Sequence, residues 1–252
     1  MKFLGVIPAR YKSTRLEGKP LKNICGYPMI QWVYQRSKLS KLDDIVVATD
    51  DIRIKEVVES FGGNAIITKG DHSNGTSRIA EVCEKMKDYD VVINIQGDEP
   101  LIDPKMINQL IDAFKDDSNL VMSTLKEKIK NFELVENPNI VKVITDKNEM
   151  ALYFSRSPIP YPREKNEEIY YKHIGIYGYK RTFVIEYSNM KETLLEKSES
   201  LEQLRVLENG YKIKVIETPY KVIGVDTKED LERVVDYITQ NKIDIKNDGG
   251  KL

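Results

Sequence analysis

Short apolar runs alternate with segments whose apolar residues recur every three or four positions, and this alternation restricts the first half of the chain to one kind of architecture. Phe3–Ile7, Ile45–Ala48, Ala65–Ile67 and Val91–Ile95 read as buried strands, the last as one apolar run. Between them lie helical patterns: a segment from Pro28 to about Leu39, then Ile54, Val57, Val58 and Phe61, then Ile79, Val82, Cys83 and Met86. Pro104 suits a first helical turn, and Met106, Ile107, Leu110, Ile111 and Phe114 follow at the same spacing. Strands that are apolar throughout need both faces covered, which parallel pairing with helical crossovers provides. The expected fold is a doubly wound, mainly parallel α/β sheet. Ligands of such sheets lie at the carboxyl ends of the strands, so the polar ends of the first, second and fourth strands are expected to converge.

The rhythm changes in the second half. Leu120–Leu125, Val141–Thr145 and Ala151–Phe154 read as strands, but Ser155–Arg163 holds three prolines and must run as a connector. Ile169–Tyr179 is strand-like, helices are expected from about Ser188 and Ser198, and Ile213–Ile216 is a short strand. Leu231, Val234, Val235 and Ile238 mark a closing helix that Thr227 or Asp226 can cap. The expectation is one domain over 1–241 with an excursion at about 150–190 that serves dimerisation, and a flexible tail at 242–252.

The 252 residues carry 39 basic and 40 acidic side chains, so no global field favours nucleic acid or an anionic membrane as partner. No apolar run reaches membrane-spanning length, and Pro8 and Arg10 end the first run short of a signal peptide. Cys25 and Cys83, the only cysteines, form no CxxC pair. A cytoplasmic location with structural thiols is expected.

Chemistry concentrates first in Leu4–Leu21, where Arg10, Lys12, Arg15 and Lys19 alternate with Ser13, Thr14 and Gly18. Clustered cations with hydroxyls and exposed backbone N–H groups suit a polyphosphate; charge alone would equally describe a solvated basic loop. Placement after a buried strand favours the phosphate reading. Asp98, in Gln96-Gly97-Asp98-Glu99-Pro100, and Asp226, after Gly224-Val225, sit where carboxylates could hold a magnesium ion (Mg²⁺) against phosphates. Standing alone, Asp98 would serve as well as a turn residue or helix cap. His72 and His173 have no zinc-like spacing, and the run Lys126–Lys130 reads as a solvated face. No GxGxxG follows the first strand, and no Walker A, GxSxG or Cys/His pattern is present.

A set of motifs runs in unbroken order over roughly Leu4 to Val235: Ile7-Pro8-Ala9-Arg10-Tyr11, Ser13-Thr14-Arg15-Leu16, Gly18-Lys19-Pro20-Leu21, Thr49-Asp50, Asp71-His72 with Gly75-Thr76, and Gln96 to Pro100. It continues through Asn137-Pro138-Asn139, Val141-Lys142-Val143, Ala151 to Arg156, His173 to Tyr179, Leu201 to Arg205 and Gly224 to Thr227. Together these stretches resemble the 3-deoxy-manno-octulosonate cytidylyltransferase family. The resemblance implies a Rossmann-like sheet of the nucleotide-diphospho-sugar transferase type and a homodimer. It also implies Mg²⁺-dependent transfer of CMP from CTP to the acidic sugar Kdo, which activates the sugar for lipopolysaccharide biosynthesis. Carried over, Arg10, Arg15 and Lys19 are triphosphate ligands, Asp98 and Asp226 hold the metal, and Arg10, Lys19, Asp98 and Asp226 form the catalytic set. The cytosine pocket would involve Pro8, Ala9, Arg10, Ser73, Thr76, Arg78 and Gln96, with Arg78 alternatively a helix-surface cation. The sugar pocket would involve Arg156, His173, Tyr177, Glu202 and Gln203, with Arg156 suited to the carboxylate.

Two positions depart from the family pattern. Glu17 replaces a proline in the phosphate loop, which frees φ and adds a negative charge two residues from Lys19; tuned loop flexibility is expected. Asn74 replaces a serine before Gly75-Thr76, where asparagine tolerates turn conformations, and only details of base contact are expected to change. Cytidylyl transfer to another acidic sugar is the near alternative. A dinucleotide oxidoreductase lacks its glycine fingerprint, and a non-catalytic nucleotide-binding protein would have no use for the four intact catalytic positions.

Overall fold

The computed structural model describes residues 1–12, 16–70, 72, 74–164 and 169–246. Its frame is the expected alternation: β1 (Phe3–Ala9), a small hairpin of β2 (Asn23–Ile24) and β3 (Tyr27–Pro28), α1 (Met29–Ser37), β4 (Asp44–Thr49), α2 (Ile52–Ser60), β5 (Ala65–Ile67), α3 (Gly75–Lys85), β6 (Val91–Asn94) and α4 (Pro104–Asp116). The chain continues through β7 (Met122–Lys128), β8 (Lys142–Thr145), β9 (Ala151–Ser155), β10 (Tyr171–Lys180), α5 (Arg181–Asn189), α6 (Leu194–Glu199), α7 (Leu204–Glu208), β11 (Ile213–Glu217) and α8 (Lys228–Asn241). The main sheet runs β11-β7-β10-β6-β1-β4-β5, with β8 and β9 beside β10. β6, β1, β4 and β5 pair in parallel, as do β7 and β11, whereas β10 runs antiparallel to both of its neighbours.

Each face of the sheet is covered. Ile7, Val47, Ile93, Ile107 and Phe114 pack on one side, and Leu4, Val46, Ile79, Val82, Cys83 and Val92 on the other. Burial of this apolar surface is what makes the strand runs continuous rather than alternating. The Cys83 thiol lies in that second layer, where burial pushes its pKa up to about 12.

Four expectations are corrected. Residues 150–190 are not wholly an excursion: β10 fills the middle of the sheet, because its alternating apolar residues complete the cover between β6 and β7. The helix expected from Ser188 begins directly off β10 at Arg181 without a side-chain cap, so no start signal precedes it. Lys126, expected on a solvated face, is buried on β7, donates to the Thr145 hydroxyl at 2.7 Å and stands over the Tyr171 ring. Ile245, expected in a free tail, is 2% exposed and packs with Trp32, Val234 and Ile238.

Candidate active site

The carboxyl ends of β6, β1 and β4 lie side by side, and the turns after them carry the site. The turn after β6 passes so close to β1 that a Cβ on Gly97 would stand 2.7 Å from the Pro8 carbonyl oxygen. Glycine is required there, and it brings Gln96 and Asp98 to the end of β1.

Lys19 reaches the same place from the loop after β1. Gly18 adopts a left-handed conformation at φ 64 and donates its N–H to the Tyr11 carbonyl at 2.9 Å, closing the loop at its base. The Arg53 guanidinium lies 3.3 Å from the Tyr11 ring centroid and is paired with Asp51. Glu17, expected to bear on Lys19, adds its charge to the surroundings of Arg53. From this base the Lys19 ammonium donates to Asp98 Oδ2 at 2.8 Å, Asp226 Oδ1 at 3.1 Å and the Val225 carbonyl at 3.0 Å. Val225 N–H donates to the Asp98 carbonyl at 2.9 Å, which ties the last carboxylate-bearing loop to the turn after β6. Burial disfavours the ammonium, but the hydrogen bonds and charges of Asp98 and Asp226 outweigh it and raise the Lys19 pKa. Burial and the Asp98 charge push the neighbouring Glu99 carboxyl up to about 8.

Asp98 and Asp226 thus direct oxygens at one cation-occupied point. A pair of carboxylates suits Mg²⁺, which takes oxygen ligands and fills the rest of its shell with water and substrate phosphates. Among the described residues no group of three or more His, Cys, Asp or Glu is placed to hold a metal without such help.

Arg10 lies exposed at the rim and donates to the carbonyls of His72 at 2.7 Å and Asn74 at 3.2 Å. That segment is anchored to α3: His72 Nε2 and Glu81 Oε2 are 2.6 Å apart, and Glu81 accepts from the Lys69 N–H at 3.0 Å and from Lys85 at 2.6 Å. Burial works against ionisation of Glu81, yet Lys85, the Lys69 N–H and His72 hold its pKa down to about 2. Arg15 and Ser73 lie outside the described residues.

Beside this polar cluster a cavity of about 180 Å³ is lined by Pro8, Gly75, Thr76, Asn94, Gln96, Tyr177, Tyr179, Tyr187, Glu202 and Gln203. Residues assigned by resemblance to the base pocket and to the sugar pocket therefore share one chamber. Its shape depends on an irregularity in β10 between Ile174 and Tyr177. The Gln96 amide donates to the Gly175 carbonyl at 2.6 Å, and Thr124 Oγ1 lies within 3.0 Å of the Ile174 and Ile176 carbonyls and His173 Nε2. These partners satisfy the backbone that a regular ladder would otherwise pair.

Four chamber residues were not anticipated: Gly75, Asn94, Tyr179 and Tyr187. Asn94 is the one polar side chain in the run read as apolar, which was the available signal. Its Oδ1 and the Nε2 of Gln203 have no hydrogen-bond partner among the described residues, and the two residues are only 6% and 4% exposed. A buried acceptor and a buried donor left unpaired in one cavity are suited to a polar ligand. Burial, reinforced by the Glu202 charge, lifts the Tyr177 hydroxyl above the ordinary tyrosine range. Burial likewise raises Glu202, against the pull of a Thr76 hydrogen bond and of Arg205.

Four carried-over residues stand elsewhere. Arg78 is neither a surface cation nor part of the chamber wall: it is fully buried and binds Thr68 Oγ1 and Asp50, fixing α3 to the end of β4. Ala9 is buried in β1. His173 packs between Phe154 and Tyr177, and burial lowers its pKa to about 3. Arg156 donates to the carbonyls of Glu199, Pro138 and Ser200, clamping the end of β9 to α6.

A cytidylyltransferase family model matches residues 4–213. The chain is 66% identical over 245 residues to a 3-deoxy-manno-octulosonate cytidylyltransferase of Fusobacterium nucleatum, covering 97% of this chain and 100% of the relative. The chain belongs to the 3-deoxy-manno-octulosonate cytidylyltransferase family. The enzyme of that name from Geotalea uraniireducens is 50% identical over 250 residues, with 94% and 99% coverage. A solved CMP:2-keto-3-deoxy-manno-octonic acid synthetase complexed with CTP superposes with a TM-score of 0.92 at 45% identity, covering 95% of this chain and 99% of that one.

Proposed function

We propose that this chain transfers CMP from CTP to the anomeric hydroxyl of 3-deoxy-D-manno-octulosonate (Kdo), releasing pyrophosphate. The observation that carries the reading is the meeting of Asp98 and Asp226, from distant segments, on the Lys19 ammonium beside a chamber with unpaired buried amides. The Kdo hydroxyl oxygen attacks the α-phosphorus of CTP: the new O–P bond forms, the bond to the bridging oxygen of pyrophosphate breaks, and the hydroxyl proton passes to water. No enzyme-bound covalent intermediate is needed, so the chain's work is alignment and charge balance. Arg10, Arg15 and Lys19 hold the triphosphate and offset charge on the departing pyrophosphate. Mg²⁺ bound by Asp98 and Asp226 supplies further charge neutralisation at the phosphates. Pro8, Thr76 and Gln96 face the base, while Tyr177, Glu202 and Gln203 face the sugar.

The product would supply activated Kdo for lipopolysaccharide biosynthesis in the cytoplasm, a location supported by the free thiols of Cys25 and Cys83. Among the described residues no helix is long and apolar enough to cross a membrane. A homodimer is supported by the exposed Leu152 on β9, a strand that among the described residues pairs with β8 alone. Sedimentation showing only monomer at working concentration would remove that part of the proposal.

Pyrophosphate release with CTP, Mg²⁺ and Kdo tests the reaction. Turnover is expected only with all three present, and chelation of the metal should abolish it. Turnover with another acidic sugar and none with Kdo would overturn the substrate.

A further inference from the structure

The departure at residue 74 does more than shape a turn. Asn74 Oδ1 accepts from the Ser77 N–H at 2.9 Å and caps α3, while its backbone carbonyl accepts from Arg10 at 3.2 Å. Its remaining group, Nδ2, donates to Glu202 Oε1 at 3.1 Å. Glu202 faces two spaces at once, the 180 Å³ chamber and an outer cleft of about 550 Å³ in which Asn74 is part of the wall. The carboxylate therefore stands in the partition between them, held from the outer side by one amide.

We propose that Asn74 is a positioning residue for the acidic sugar: its Nδ2 fixes the Glu202 carboxylate toward the chamber. The serine of the family pattern could cap α3 but could not reach with a second donor, so the hold on Glu202 is a property of the asparagine side chain. Residue 74 contacts Arg10 only through its backbone carbonyl, which a side-chain substitution leaves in place. The inference rests on the reading that Glu202 faces Kdo.

Asn74→Asp tests it, because aspartate keeps the cap but replaces the donor with a negative charge against Glu202. The intact enzyme should show a Kdo KM raised by about tenfold or more, with the CTP KM and kcat changed by less than about threefold. In a Glu202→Gln background the clash is gone, and the same substitution should change the Kdo KM by less than about twofold. Asn74→Ser, which loses the donor without adding charge, should fall between wild type and Asn74→Asp. An equal effect in both backgrounds, or a CTP KM that rises with the Kdo KM, would overturn the inference. If Glu202→Gln raises the Kdo KM while Asn74→Asp does not, Asn74 alone loses its role. If Glu202→Gln leaves the Kdo KM unchanged, the placement of Glu202 against the sugar fails and the inference falls with it.

Discussion

Lys19 keeps its charge because two carboxylates lie within 3.1 Å of its ammonium, whereas His173 on β10 loses its own because burial acts on it without a compensating charge. The same contrast runs through both ends of the site. At the cation cluster, Arg10, Lys19, Asp98 and Asp226 stay partly open to water and are held by pairing. In the chamber, Tyr177, Tyr179 and Glu202 are enclosed, and burial favours their neutral forms. A site for a triphosphate needs fixed charge that can exchange partners; a site for a polyol needs donors and acceptors whose partners are missing until the ligand arrives.

Asp98→Ala should break this division most completely. Removing one of the two carboxylates is expected to lower turnover by about 10²–10³-fold, read as pyrophosphate release. Asp98 is partly exposed, so the melting temperature should change little. Unchanged turnover would refute its role as metal ligand.

Asn94→Leu probes the other end and should cost less. The acceptor without a partner is costly to bury and has value only with a ligand present. The variant is expected to lose about tenfold in kcat/KM while its stability to urea stays level or rises by about 1 kcal/mol. Stability falling alongside activity would mean that Asn94 is part of the fold's support rather than a ligand contact.

The two ends also differed in how far the amino-acid order revealed them. Arg10, Lys19, Asp98 and Asp226 stand where a strand or apolar run gives way to a polar turn, and residue type at such a position states its chemistry. The sheet was legible for a similar reason, since runs such as Ile45–Ala48 have no stable place except inside. Arg78, carried over to the base pocket with a helix-surface cation as the alternative, is enclosed instead by Thr68 and Asp50, and contacts from other segments leave no mark on the helix that carries it. The place of β10 could not be read because antiparallel insertion between β6 and β7 leaves no local mark on Tyr171–Lys180. Chamber membership of Tyr187 depends in turn on where α5 starts, and that start has no side-chain cap to signal it.

His173→Phe sharpens the comparison through pH. The native pKa of about 3 lies below the ordinary 6.5, so between those values the unfolded chain binds a proton that the folded chain refuses. The stability contribution is fully present above pH 6.5 and is lost as pH falls, by about 2 kcal/mol at pH 5. Urea unfolding of the variant should show a shallower loss between pH 6.5 and pH 5 than wild type. Parallel slopes would show that His173 titrates freely and that burial does not govern it.

Arg53→Ala should give the smallest effect, and it asks whether the cation cluster owes anything to a group that touches neither carboxylate. Arg53 stacks on Tyr11, whose carbonyl takes the Gly18 N–H at the base of the loop that presents Lys19. Removing the guanidinium frees the ring without altering any charge paired to Lys19. The expected outcome is a CTP KM raised by about two- to fivefold with kcat unchanged, because only the order of the loop before binding is lost. The Kdo KM should not move, since the chamber wall is held from β10, α3 and the turn after β6. A rise in the Kdo KM equal to that for CTP would show the two ends to be one cooperative unit, and the division between paired and buried groups would then describe their chemistry but not their energetics.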